Sequence, residues 1–113
     1  AIYRRALNIL ESDKNKTKLD NSTDPGIFKT EFEKNLHAKI NEIRKYFSSI
    51  DKTENYEETF SFPASAKEPL NAFFDNVQVN DQDEVIKKNR LELLQMFCKT
   101  FENFTNFSKL ENI

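Results

Sequence analysis

The chain has 113 residues, 37% hydrophobic, 32% charged and 12% aromatic, with one Gly, one Cys, one His and a formal net charge of -2. That length supports one domain around one core, with eleven Phe as its main material. No run of 18 apolar residues exists to span a membrane, a single Gly cannot build a phosphate-cradling loop, and Cys98 with His37 cannot assemble a His/Cys metal site.

The opening Ala1-Ile2-Tyr3-Arg4-Arg5 lacks both an initiating Met and the apolar stretch of a signal peptide, and Cys98 has no intrachain disulfide partner. The expectation is an excised piece of a longer, cytoplasmic chain that folds over residues 1–113 as a single domain. Strand and hairpin signals are nearly absent, whereas apolar residues recur at intervals of three and four, so the fold class is all-α, a single bundle of about five helices.

In chain order, the spacing of Ile2, Ala6, Ile9 and Leu10 predicts a first helix, followed by a polar loop from Ser12 to Ser22. Asp24-Pro25 supplies an N-cap and a first-turn proline, so a long second helix is expected to start there. It carries Phe28, Phe32, Leu36, Ile40, Ile43, Phe47 and Ile50 on one stripe. Asn55 and Glu58 have capping-box spacing before a short third helix that Pro63 ends, and Ser65 and Glu68 open a fourth from about Ala66 to Asn76. Asn76 is expected as a left-handed cap. Asp81, Asp83 and Glu84 then form an acidic first turn for a last helix whose inner face holds Ile86, Arg90, Leu94, Phe97, Cys98, Phe101 and Phe104. Phe107 and Leu110 trail behind it.

Catalysis within this chain is not expected. Asp81 and Asp83 are explained by helix capping, Cys98 by burial on an apolar stripe, and His37 by a place on the flank of its helix. Residues 1–56 carry 11 Lys and Arg against 9 Asp and Glu, and residues 57–113 carry 6 against 10, so a polyanion would be steered to the first half.

The segment Phe73-Phe74-Asp75-Asn76-Val77-Gln78-Val79, followed by Asn89-Arg90-Leu91-Glu92-Leu93-Leu94, closely resembles the C-terminal end of the β subunit of bacterial two-subunit glycyl-tRNA synthetases. There a Phe-Phe-Asp-x-Val-x-Val turn precedes an Asn-Arg-Leu-x-Leu-Leu helix. Pro69 and the residues leading into Phe73, Asp24-Pro25-Gly26-Ile27-Phe28 and Arg5-Ala6-Leu7-Asn8-Ile9-Leu10 match the same family in the same order. Gln78 stands where the family commonly has Met, and Ser48 to Ser65 matches only in character. The Asp-Ala-Leu-Arg motif of the related arginyl-tRNA synthetase domain is absent. The likeness to the glycyl β subunit is the nearer of the two.

The resemblance implies a fold similar to the arginyl-type anticodon-binding domain and a non-catalytic module for the anticodon region of tRNA(Gly). Its partners would be the rest of the β subunit and the α subunit in a tetramer of two of each, with no membrane. No cofactor is expected here, ATP and Mg²⁺ being used at the α subunit. For such RNA, Lys and Arg hold phosphates while aromatic and guanidinium faces receive unstacked bases. The best local match is Arg44-Lys45-Tyr46 with Lys39 nearby. Arg4, Arg5, Lys14, Lys16 and Lys18 add positive charge in the same half, and Lys87 and Lys88 form a second patch.

An ion pair between Asp75 and Arg90 is expected to clamp the last two helices, and loss of stability in Asp75→Asn would reveal it. Two other readings stay open. A helical docking module without RNA contact would expose an apolar patch such as Phe104, Phe107 and Leu110. A small enzyme would need a pocket of converging titratable groups, which this sequence has little means to build.

Overall fold

The computed structural model describes residues 2–13, 17–20, 23–49 and 67–102, and among them every regular element is helical. The described residues form four α-helices: α1 (Ile2–Glu11), α2 (Glu31–Ser49), α3 (Lys67–Asn76) and α4 (Glu84–Glu102). A single 3-10 turn at Pro25–Ile27 precedes α2. The expected third helix after Asn55 lies outside the described residues, as do Phe104, Phe107 and Leu110.

The second helix starts later than the Asp24-Pro25 signal implies. Asp24 does cap a turn, its Oδ1 accepting the Gly26 N–H at 2.9 Å, but that turn ends at Ile27. A second cap then begins α2. Thr30 Oγ1 accepts the Glu33 N–H at 3.3 Å, and Glu33 Oε1 accepts the Thr30 N–H at 3.1 Å and the Lys29 N–H at 3.2 Å. Reciprocal satisfaction of the orphan first-turn donors outweighs the proline signal, which can be spent on one isolated turn. Thr30→Ala is expected to cost about 1 kcal/mol in denaturant unfolding.

Pro69 occupies the third position of α3, within the first turn where its missing N–H breaks no helical bond. Asn76 closes this helix by donating its side-chain amide to the Ala72 carbonyl at 2.8 Å, and the Val77 N–H donates to Phe73 O at 2.9 Å. Asp83 caps α4, its Oδ1 accepting the Val85 N–H at 2.9 Å, so that Asp81 and Asp83 precede the first turn and Glu84 alone of the three lies in it.

The core is a single cluster in which α4 is the central helix, with α1 and α2 packed on it and α3 on α2. Tyr3 and Ala6 enter from α1, Leu36, Ile40 and Ile43 from α2, Leu70 and Phe73 from α3, and Leu93, Leu94, Phe97, Cys98 and Phe101 from α4. Phe97 and Phe101 lie 4.9 Å apart by ring centroid, and Phe47 meets Phe101 edge-on at 5.8 Å, in the favoured range for aromatic pairs. Six successive residues, Asn89 to Leu94, are buried, so this part of α4 is covered on all sides. A helix enclosed in that way must bury its polar side chains too, and each then needs a partner.

Cys98 is buried, as expected of a small apolar residue, and burial together with nearby Glu102 pushes its thiol up to about 12. Tyr3 is raised as well, by burial first and then by the hydrogen bond its hydroxyl donates to Glu102. Both groups hold their protons more tightly folded than unfolded. Their contribution is complete below the unfolded thiol value near 9 and fades as pH rises toward 12. Thiol labelling at pH 8 should therefore be silent in the native protein and complete in denaturant.

Candidate nucleic-acid interface

The basic residues singled out in the sequence fall into different surroundings. Arg44 and Lys45 are exposed near the C-terminal end of α2, and neither forms an ion pair among the described residues. Lys39 and Tyr46 do not join them. At about 100° per residue, these two lie well over a right angle around the helix from Arg44. Lys39 is held by Glu42 at 3.2 Å, and Tyr46 packs its ring 6.2 Å from that of Phe47.

Arg4 is exposed on α1. Arg5 lies 4.5 Å over the Phe74 ring of α3, with Asp75 Oδ1 at 3.9 Å and half its side chain still open to solvent. A guanidinium so placed makes a cation–π contact while part of the side chain stays open to solvent. Lys18 is exposed, whereas Lys14 and Lys16 lie outside the described residues. Lys88 sits 3.4 Å from Asp20, both partly exposed.

Lys87 is not a surface residue. Its side chain is 6% exposed and its Nζ lies 3.1 Å from Oδ1 of Asp13, itself 7% exposed. A buried ammonium matched to a buried carboxylate serves the join between α4 and the end of α1, so its charge is withdrawn from any phosphate. The signal was present in the sequence, because Lys87 shares the helical phase of Leu91, Leu94, Cys98 and Phe101.

The expected Asp75–Arg90 clamp does not form. Asp75 points to Arg5, and Arg90 turns inward instead. One of its terminal nitrogens donates to Gln78 O at 2.6 Å and to Asp81 Oδ2 at 3.3 Å, and the other donates to Glu33 Oε1 at 3.3 Å. Arg90 thus ties the α3–α4 connection to the start of α2. Its neighbours do the same for the long loop after α1. The Asn89 side chain accepts from Asp24 N–H at 2.7 Å and donates to Asp24 O at 3.0 Å, and Glu92 Oε1 accepts from Asp20 N–H at 2.7 Å.

His37 lies on the flank of α2, edge-on to Phe28 at 5.4 Å. Burial first, and the Arg44 charge second, lower its pKa, which favours the neutral ring. No three His, Cys, Asp or Glu side chains gather into a metal site among the described residues. No helix there is long and apolar enough to cross a membrane.

Residues 1–110 match the model of the DALR anticodon binding domain. The chain belongs to that family. It is also similar to the glycine–tRNA ligase beta subunit of Rickettsia prowazekii, 34% identical over 108 residues, which are 96% of this chain and 16% of that subunit. The counterpart from Rickettsia bellii strain OSU 85-389 is 36% identical over 108 residues, 96% of this chain and 15% of its own length. The chain therefore spans about a sixth of the curated relatives it matches. No solved structure matches it.

The match to the DALR family holds although the tetrapeptide that names it is absent, in keeping with the arginyl-type fold the resemblance implied. The likeness to glycyl β subunits extends over nearly the whole chain, as the ordered matches at both ends implied. In this DALR domain the Asn89–Leu94 segment is a structural junction. Asn89 and Glu92 bind the long loop after α1 to the central helix, Arg90 binds the α3–α4 connection, and Leu93 and Leu94 beside them fill the core.

Proposed function

We propose that this DALR-family domain is a non-catalytic part of a glycine–tRNA ligase β subunit that grips the anticodon region of tRNA(Gly). The observation that carries this reading is the similarity to such subunits across 96% of the chain. The exposed cations of α1 and α2 suit phosphate contact, and the half-open guanidinium of Arg5 over Phe74 suits an unstacked base. On this reading, ATP, Mg²⁺ and glycine are handled by the α subunit, the assembly is a tetramer of two α and two β subunits, and it works in the cytoplasm.

The docking alternative calls for an exposed apolar patch. Among the described residues Val85 is the one large apolar side chain left exposed, a lone residue on a charged surface, while Phe104, Phe107 and Leu110 lie outside them. The RNA reading is preferred on the family match and on the exposed cations of α1 and α2. Crosslinking the intact parent enzyme to its cognate tRNA and mapping the modified peptides should find adducts within these 113 residues. Adducts confined to other parts of the β subunit would reject the assignment.

A further inference from the structure

The surface of α2 is divided by charge. Its inner face is set by the buried Leu36, Ile40 and Ile43. Placed at about 100° per residue, Lys34, His37, Asn41, Arg44, Lys45 and Ser48 all fall on one flank of that face, and Glu31, Asn35, Lys39, Glu42 and Tyr46 fall on the other. The first flank contains no carboxylate of the helix. The second contains both exposed glutamates.

Lys34, Arg44 and Lys45 are exposed and form no ion pair among the described residues, whereas Lys39 across the helix is paired with Glu42. Lys34 and Lys45 are eleven residues apart, so they share nearly one azimuth and stand about 16 Å apart along the axis. Between them Asn41 lies 3.5 Å from the His37 ring, with hydrogen-bonding capacity to spare. The Arg44 charge helps to keep that ring neutral, in keeping with a positive field along the flank.

We propose that this carboxylate-free flank of α2 is a track for single-stranded RNA, with Lys34, Arg44 and Lys45 holding successive phosphates of the anticodon loop around Asn41. It rests on the tRNA reading above and makes it specific: Lys34 joins the site, and Lys39 and Tyr46 leave it. Charge complementarity favours a polyanion, and Lys34 and Lys45 in line over about 16 Å, with Arg44 about a quarter-turn to one side, suit a short strand rather than a long duplex.

The test is tRNA(Gly) affinity of the intact parent enzyme as a function of salt. In K34Q/K45Q the slope of log affinity against log salt should fall by one to two units, at about 0.7 per lost single-strand phosphate contact. K34E/K45E should weaken binding at least tenfold, and K39E should change it less than twofold. Both lysines are exposed and unpaired, so an unchanged melting temperature separates these effects from misfolding. Unchanged affinity and slope in K34Q/K45Q, with loss in R4Q/R5Q, would overturn the track and leave the tRNA reading standing. Unchanged affinity after removal of the whole segment would overturn both. Intact tRNA binding with loss of subunit assembly in K34E/K45E would make the flank a protein-docking surface and overturn the track.

Discussion

Arg90→Ala is expected to lower the unfolding free energy by about 3–5 kcal/mol, because it leaves the Glu33 carboxylate buried without its counter-charge. Glu33 is 1% exposed, and its Oε1 also accepts from Lys29 N–H, Thr30 N–H and the Thr30 hydroxyl. Removing the guanidinium therefore strikes the start of α2 and the Gln78 to Asp81 connection together. The pair is only partly satisfied, since Glu33 Oε2 and Arg90 Nε have no hydrogen-bond partner. Its value lies more in holding parts in register than in net stabilisation, so E33Q/R90M should recover a large part of the loss. Urea titration followed by circular dichroism checks both. A cost below about 1 kcal/mol for Arg90→Ala would show that the guanidinium is not needed to balance Glu33.

Lys87→Met is expected to cost about 3 kcal/mol, with D13L/K87M recovering part of it, because the single change takes from the nearly buried Asp13 carboxylate the ammonium that balances its charge, while Thr17 N–H still donates to Asp13 Oδ2 at 2.7 Å. The two roles open to a lysine at this position give opposite signatures. A phosphate-contacting Lys87 would leave the melting temperature alone and reduce the salt slope of RNA binding by about one unit. A structural Lys87 does the reverse: the melting temperature drops by several degrees, and any loss of RNA binding is restored in the double variant.

Much of the architecture follows from helical phase. Leu36, Ile40 and Ile43 on α2, and Leu94, Phe97, Cys98 and Phe101 on α4, are buried as their spacing demands. Phase alone also marks Glu33 and Lys87 as inward-facing, in step with the apolar residues of their helices. Chemistry pulled the reading the other way, since a carboxylate or ammonium is normally left in water. The Thr30-x-x-Glu33 capping box was equally visible, and Pro25 obscured it by starting a turn just upstream.

The candidate interface was less legible than the fold. Arg44, Lys45, Tyr46 and Lys39 are neighbours along the chain but not around the helix, because each residue advances the direction by about 100°. Lys34, three turns from Lys45, is distant in sequence and aligned in space.

The sequence by itself determined that this protein is a helical domain, where α1 and α3 begin and end, and which relatives it resembles, because caps and apolar period act over a few residues. Only the tertiary structure decided which charges are withdrawn into the interior and which remain free for a ligand. Lys87 and Arg90 are drawn in by Asp13, Glu33 and Asp81, three partners contributed by other parts of the fold, and the Asn89–Leu94 stretch of α4 is enclosed on every side only once α1, α2 and the loops have packed around it. A charge is bound or available according to what lies across space from it, and chain order does not carry that information.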